Sequence, residues 1–457
     1  MKQRLSVVIF LSVMLLAGLA SAKEKSGKPL IDIQERTLDN GLTLLMIEDH
    51  TAPLISYQVY YQVGSRHERP GLTGMAHFFE HMMFRGSNKY GPEEHNDIVK
   101  AHGGTLNAST WYDRTNYYEN ISSEYLELVI HLEAERQANL NITEETFHPE
   151  QQVITEERRM RVDNDLFGSA QELLTTHLFV ASNYHWPVIG WMNDIQNYRL
   201  EDLKWFYQTY YAPNNATVVI SGDFNPDEAF ALVQKYYGKM QPQEQPWEPS
   251  TVDTPQRGEK RLKFHRQAQL PFLFAGYNIP HASHPDFAAL EVAQKILASG
   301  ESSRIYRSCV YDSQVARFAG GYLYELYNPG IFLFYIGVNQ GRDMDEAEEI
   351  LFATVDSLAA TPPTETELQK AKNKLESEFY SRLQSNAGRA NLVGEAVVTY
   401  RDGYHGLLSK LDKWNAVTVE DVQRVVRTYL QESNRTMVIV VPDAGFQPVD
   451  VSMGGEQ

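Results

Sequence analysis

Leu200-Glu-Asp-Leu-Lys-Trp-Phe-Tyr-Gln-Thr-Tyr-Tyr-Ala-Pro-Asn-Asn-Ala-Thr-Val-Val-Ile220 returns, altered, as Val419-Glu-Asp-Val-Gln-Arg-Val-Val-Arg-Thr-Tyr-Leu-Gln-Glu-Ser-Asn-Arg-Thr-Met-Val-Ile439. The two stretches align without a gap at an offset of 219, and eight of 21 positions are identical. The shared positions include Glu201/Glu420, Asp202/Asp421, Thr209/Thr428, Tyr210/Tyr429 and Asn215/Asn434. Chance gives roughly one match over such a span, so the chain carries an internal duplication. Each copy reads as a helix, a short turn holding the asparagine, and a β-branched strand (Thr217 to Ser221, Thr436 to Val441). Between the copies, Met240-Gln-Pro-Gln-Glu-Gln-Pro-Trp-Glu-Pro-Ser-Thr-Val-Asp-Thr-Pro255 is rich in proline and polar residues and reads as an extended linker. The expected organisation is a domain over 23–239, a linker over 240–258, a homologous domain over 259–447 and a short tail, 448–457.

Working outward, Gly41 to Glu48 and Ile55 to Val63 alternate as strands, and Leu72 to Phe84 has helical spacing. Asn107 to Trp111 and Thr115 to Asn120, parted by Tyr112-Asp113-Arg114, form a hairpin pattern. Glu124 to Leu140 reads as a long helix, and Pro149 to Asp163 as another with its proline in the first turn. The second half opens with a strand, Phe272 to Ile279, and a helix, Pro285 to Ala298. No glycine-rich nucleotide loop is present. The fold class is α+β: two homologous domains, each a mixed, largely antiparallel sheet packed with helices.

The N-terminus reads as a processing segment. Lys2 and Arg4 precede an apolar run from Leu5 to Leu19 and the small-residue site Ala20-Ser21-Ala22, as in a secretory signal peptide spanning 1–22. The run is short for a membrane span, and no second one follows. The expectation is a soluble, exported, periplasmic chain with no span left after cleavage. Removing the segment leaves 39 Lys+Arg against 59 Asp+Glu, a net charge of about −20 that argues against nucleic acid or anionic membrane as partner. The single cysteine, Cys309, cannot make an internal disulfide and reads as a buried small hydrophobe.

Chemistry concentrates at His77-Phe-Phe-Glu-His81. On a helix His77 and His81 share one face, with Glu80 beside the second. Two imidazoles and a carboxylate suit a zinc ion and the base that works next to it, in an order that is itself a zinc-peptidase signature. Composition alone yields such a triple in roughly a few per cent of chains this long, so a further ligand has to be found. Glu150, Glu156 and Glu157 are the candidates. Glu150 and Glu157, nearly two turns apart, share a face, so one can bind metal while the other orients a ligand or the water. Helix geometry does not choose between them or exclude Glu156. The bland alternative is an acidic solvated face paired with Arg158 and Arg159.

The stretch Gly71-Leu-Thr-Gly-Met-Ala-His-Phe-Phe-Glu-His-Met-Met-Phe-Arg-Gly-Ser87 resembles the zinc helix of the insulinase-like (pitrilysin, M16) metallopeptidases. Gly103-Gly-Thr-Leu-Asn-Ala-Ser-Thr110, Thr115-Asn-Tyr-Tyr118 and the Glu150…Glu157 helix match that family in the same order. The resemblance extends over nearly all of the mature chain. It implies homologous domains closing like a clam shell over a peptide chamber, as in the processing peptidases. It implies one zinc ion per chain on His77, His81 and Glu157, with Glu150 in support and Glu80 as general base. Asn107 and Ala108 match positions on an edge strand that pairs with extended substrate backbone.

Two departures qualify that picture. The second half has no His-x-x-Glu-His, and His281 and His284 sit in a proline-bounded loop that reads as polar rather than metal-binding. Active single-chain members of the family carry an arginine followed seven residues later by a tyrosine, which stabilise the developing oxyanion. Anchored on Gly300-Glu-Ser-Ser-Arg-Ile-Tyr306, those positions fall on Val310 and Arg317, and the nearest shifted pair, Arg307 with Tyr311, has the wrong spacing. The resemblance therefore implies a zinc endopeptidase acting on peptides or small unfolded proteins with help from a homologous M16-type subunit that brings the missing pair, or from a second copy of itself. The competing readings are a scaffold or chaperone-like subunit on the same fold and a zinc-storing protein.

Overall fold

The duplication is visible in the sheets. The structure, a computed structural model, describes residues 30–268 and 270–443, so the expected signal peptide (1–22) and tail (448–457) lie outside the described residues. The first half forms one sheet from β1 (Gln34–Thr37), β2 (Thr43–Glu48), β3 (Leu54–Tyr61), β4 (Thr105–Thr110), β5 (Thr115–Ser122) and β6 (Ala216–Gly222), in the order β1-β2-β6-β3-β5-β4. The second half forms another from β7 (Lys260–Arg266), β8 (Phe272–Ile279), β9 (Ala316–Tyr324), β10 (Gly330–Val338) and β11 (Arg435–Pro442), in the order β7-β11-β8-β10-β9. Leaving out the short polar β1, the two orders are the same. In each sheet the last strand pairs parallel to the first and antiparallel to the second, and every other pairing is antiparallel.

The repeated stretches occupy matching places. Leu200–Tyr210 and Val419–Tyr429 are helices, each followed by a 3-10 turn ending at the asparagine and then by β6 or β11. Asn215 donates through Nδ2 to the Tyr210 carbonyl at 2.8 Å, and Asn434 to the Tyr429 carbonyl at 2.7 Å. Each asparagine thus satisfies an orphan carbonyl at a helix end and aims the chain into the sheet.

Each half also sends a helix across the sheet of the other. Leu166–Leu178, from the first half, places Leu174 and Leu178 in one apolar core with Phe272, Phe274, Val438 and Val440 of the second sheet. Asn386–Thr399, from the second half, packs on β3: Gly394 lies so close to Tyr60 that a Cβ there would sit 2.0 Å from the ring. Asn391 donates to the Tyr60 hydroxyl at 3.2 Å, and Asn386 to the Leu54 carbonyl at 2.9 Å.

The segment from Gln241 to Glu259 holds neither helix nor strand, yet it is tied down. Glu248 accepts from Arg66 Nη1 at 2.8 Å, and Asp253 accepts the backbone N–H groups of Val180 and Ala181 at 2.6 and 2.7 Å. Among the described residues no helix is long and apolar enough to cross a membrane. Cys309 is buried, as its apolar setting implied, and burial pushes its thiol up to about 11.

Candidate zinc centre and catalytic cavity

The helix that carries the histidines spans Met75–Met82 and buries Met75, Ala76, Phe78, Phe79 and Met82. It is shorter than its apolar spacing predicts because Gly74 turns the chain into it at φ 91°, which an L side chain disfavours. A Cβ on Gly74 would also lie 2.3 Å from the Ile189 carbonyl oxygen, so two backbones meet there. Glu68 fills the helix start, accepting from Gly74 N at 2.7 Å and Ala76 N at 2.8 Å. Phe79 stacks on Phe206 of the repeated helix at 5.4 Å, and the Tyr117 hydroxyl on β5 donates to the Phe79 carbonyl at 3.0 Å. The repeat thereby fixes the rotation of the histidine helix.

The glutamates stand on a helix that begins at Glu144, five residues before the expected start at Pro149. Thr143 caps it, accepting from Thr146 N, and Pro149 lies in its interior. The cap, not the proline, decides where this helix starts, and the ring leaves one carbonyl of the preceding turn without its helical donor. Beyond Arg158 the backbone widens into a π-helical turn, Arg159–Asp163.

These two helices bring together three of the expected side chains. One nitrogen each from His77 and His81 and one oxygen from Glu157 lie within 4.8 Å of one another. His77 Nε2 is 3.8 Å and His81 Nε2 3.3 Å from the Glu157 carboxylate. A metal at roughly 2 Å from each of three such atoms fits that spacing. Glu150, fully buried, accepts from His81 Nδ1 at 2.8 Å and from Arg85. That contact turns the other nitrogen of His81 toward Glu157. Glu156 faces away and pairs with Arg159.

The electrostatics favour a cation. Burial, with the charge of His81, holds His77 down at about 4, so its lone pair is free at neutral pH. Burial opposes a charge on His81, but hydrogen bonds to Glu150 and Glu157 outweigh it and lift the imidazole to about 9. Glu157 is likewise opposed by burial and held at about 2 by His81, His77 and Arg161. In other words, a proton sits where the carboxylates demand positive charge, and a divalent ion would replace it. Among the described residues the only other cluster of potential ligands is His95, Glu119 and Glu133, whose Glu133 is already engaged by Arg136.

His77, Glu80, His81 and Glu157 open on a cavity of about 690 Å³ whose wall includes Asn107 and Ala108 of β4, the edge strand of the first sheet. Burial raises Glu80, against a hydrogen bond with Thr110. The lining residues all come from the first half. Val310 lies in a π-helical segment, Tyr306–Asp312, and Arg317 is exposed on β9; neither reaches the cavity wall, nor do Arg307 and Tyr311. Among the described residues His281 and His284 belong to no cluster of three potential ligands. Two side chains escaped the sequence reading: Arg85, four residues after His81, and Arg161, four after Glu157. Helical spacing was the signal for both.

Fold and site together define a duplicated two-sheet scaffold with a His/His/Glu cluster able to hold a metal at one cavity. The model of the insulinase family (peptidase family M16) matches residues 43–189, and that of the M16 inactive domain matches 197–375; the chain belongs to the M16 family. It is 32% identical over 410 residues to zinc protease PqqE of Helicobacter pylori, covering 89% of this chain and 92% of that one. Among solved structures, a protease from Helicobacter pylori superposes with a TM-score of 0.87 at 32% identity, over 90% of this chain and 100% of that one. An M16 inactive domain from Pseudomonas fluorescens gives 0.82 at 17% identity, over 92% and 100%, which speaks for the fold alone.

Proposed function

We propose that this chain is an exported zinc metalloendopeptidase that hydrolyses peptides or small unfolded proteins. The observation that carries the reading is the convergence of His77, His81, Glu157 and Glu80 on one cavity bordered by a free sheet edge. Zinc held by the two imidazoles and Glu157 would supply Lewis-acid polarisation at neutral pH. Glu80 takes the proton of the attacking water and delivers it to the leaving amine, a task suited to a carboxylate raised by burial. Glu150 holds His81 in the ligating orientation. The β4 backbone at Asn107 and Ala108 aligns an extended peptide beside Glu80 and selects little by side chain.

The signal-like segment at 1–22 supports export to the periplasm. Because the cavity is lined by one half alone and Val310 and Arg317 stand away from it, a homologous subunit, or a second copy, completes the donors around the substrate. The scaffold reading draws on the second half's likeness to the M16 inactive domain.

One assay separates the readings. Zinc content and cleavage of a quenched fluorescent peptide mixture are measured for the wild type and Glu80→Gln, each alone and with a homologous subunit. The expected result is one zinc per chain in both proteins and turnover only in the wild type. Zinc without turnover under every condition would leave the scaffold or storage readings. Full-rate cleavage by the purified chain alone would remove the need for a partner.

A further inference from the structure

Only one guanidinium lines the catalytic cavity among the described residues, and it belongs to Arg161. The residue lies in the π-helical turn that follows the glutamate helix, and its Nε stands 3.1 Å from Glu157 Oε1. Its side chain is 70% exposed, and among the described residues it has no second ionic partner. Its neighbours are spent elsewhere. Arg158 forks onto Glu172 at 2.7 and 3.1 Å, and Arg159 binds Glu156. The acidic Glu172 on the same wall is therefore already matched, and Arg161 faces the cavity with the rest of its N–H donors free.

We propose that Arg161 is a catalytic residue that donates to the scissile carbonyl oxygen of the bound peptide. The proposal rests on the peptidase reading above. Glu80 is set against Thr110 of the β4–β5 hairpin, whereas Arg161 is set against Glu157 on the opposite helix. Base and guanidinium thus enter from different walls, which leaves the base for the water and the guanidinium for the carbonyl oxygen. Water oxygen bonds to the carbonyl carbon, its proton passes to Glu80, and the π electron pair moves onto the carbonyl oxygen. When that oxyanion collapses, the C–N bond breaks and the amine leaves with the proton from Glu80. The ion pair with Glu157 holds the direction of the Arg161 guanidinium before charge develops. It supplies in cis the cationic donor whose usual position here is Val310, which leaves a partner subunit only the tyrosine's hydroxyl to bring.

The test uses the full zinc-loaded chain, with its partner if turnover needs one, as wild type, R161A and R161K. Loss of one preorganised donor lowers kcat by roughly 10²–10³-fold. The expected pattern is a fall of that order for R161A, with zinc stoichiometry and KM nearly unchanged and part of the rate restored by added methylguanidine. Calorimetry provides a readout apart from turnover: a phosphinic peptide, mimicking the tetrahedral anion, should lose affinity for R161A in step with kcat/KM. An uncleaved substrate peptide bound to the Glu80→Gln background should not. Wild-type kcat in R161A, or a slower R161A that loses zinc and binds the phosphinic peptide normally once reloaded, would overturn the proposal and leave Arg161 only bracing Glu157. A zinc-loaded wild type that cleaves nothing would instead sink the peptidase reading, and this role with it.

Discussion

Glu150 and Glu157 look alike in sequence, seven residues apart on one helical face, and the fold gives them different work. Glu150 is fully buried with its two oxygens on His81 and Arg85; Glu157 meets the cavity. No spacing rule tells a buried carboxylate from one at a cavity rim, so the choice was not legible before the helices were packed. Arg161 was hidden for a related reason, since Arg158, Arg159 and Arg161 form one basic run and only the π-helical turn sorts their directions. If Glu150 orients His81, Glu150→Gln should weaken zinc binding by roughly 10–100-fold in a chelator competition; unchanged affinity would count against it. Glu248 offers a pH test away from the centre. Burial opposes its charge, but His67 and Arg66 hold it at about 2, below its ordinary 4.5. A depressed carboxylate stabilises the fold above its unfolded value, and that contribution is lost as pH falls from about 4.5 to 2. The difference in Tm between wild type and Glu248→Gln should therefore be present at pH 7 and vanish near pH 2.

Among the elements, those with strong periodicity came through nearly intact: Phe272–Ile279 is the strand the sequence predicts, and the hairpin shifts by only two residues at either end. The failures have local causes. β1 is four residues of polar edge with no alternation to read, and Thr143 caps a helix whose interior proline mimics a helix start. The repeated asparagine is the clearest case of a legible residue whose job was not. Removing its amide leaves a part-buried helix-end carbonyl unsatisfied, so Asn434→Ala should cost about 1–2 kcal/mol in denaturant unfolding. The same change at Asn215 should also disturb zinc affinity, because the helix before it carries Phe206 against Phe79. Equal effects on zinc from both variants would argue against that link.

At the scale of the whole molecule, the duplication predicts two like sheets and says nothing of the exchange between them. An amphipathic pattern marks which face of Leu166–Leu178 or Asn386–Thr399 is apolar, not which sheet will receive it. The exchange makes the described halves depend on each other, so calorimetry should show one cooperative transition; two separate transitions would contradict it. Gly394→Ala, pressing a methyl group into the Tyr60 ring, should lower stability by about 1–3 kcal/mol without touching His77, His81 or Glu157. The crossing helices also set a timetable. Synthesis runs from the N-terminus, and Leu166–Leu178 is made long before β8, β10 and β11, the strands it will cover. Until the last of these is translated the nascent chain holds a greasy helix that is only partly covered, next to a candidate ligand set already complete in sequence at Glu157. The final strand is thus a completion signal: a ribosome that stops short of β11 releases a chain whose apolar helix cannot be fully covered.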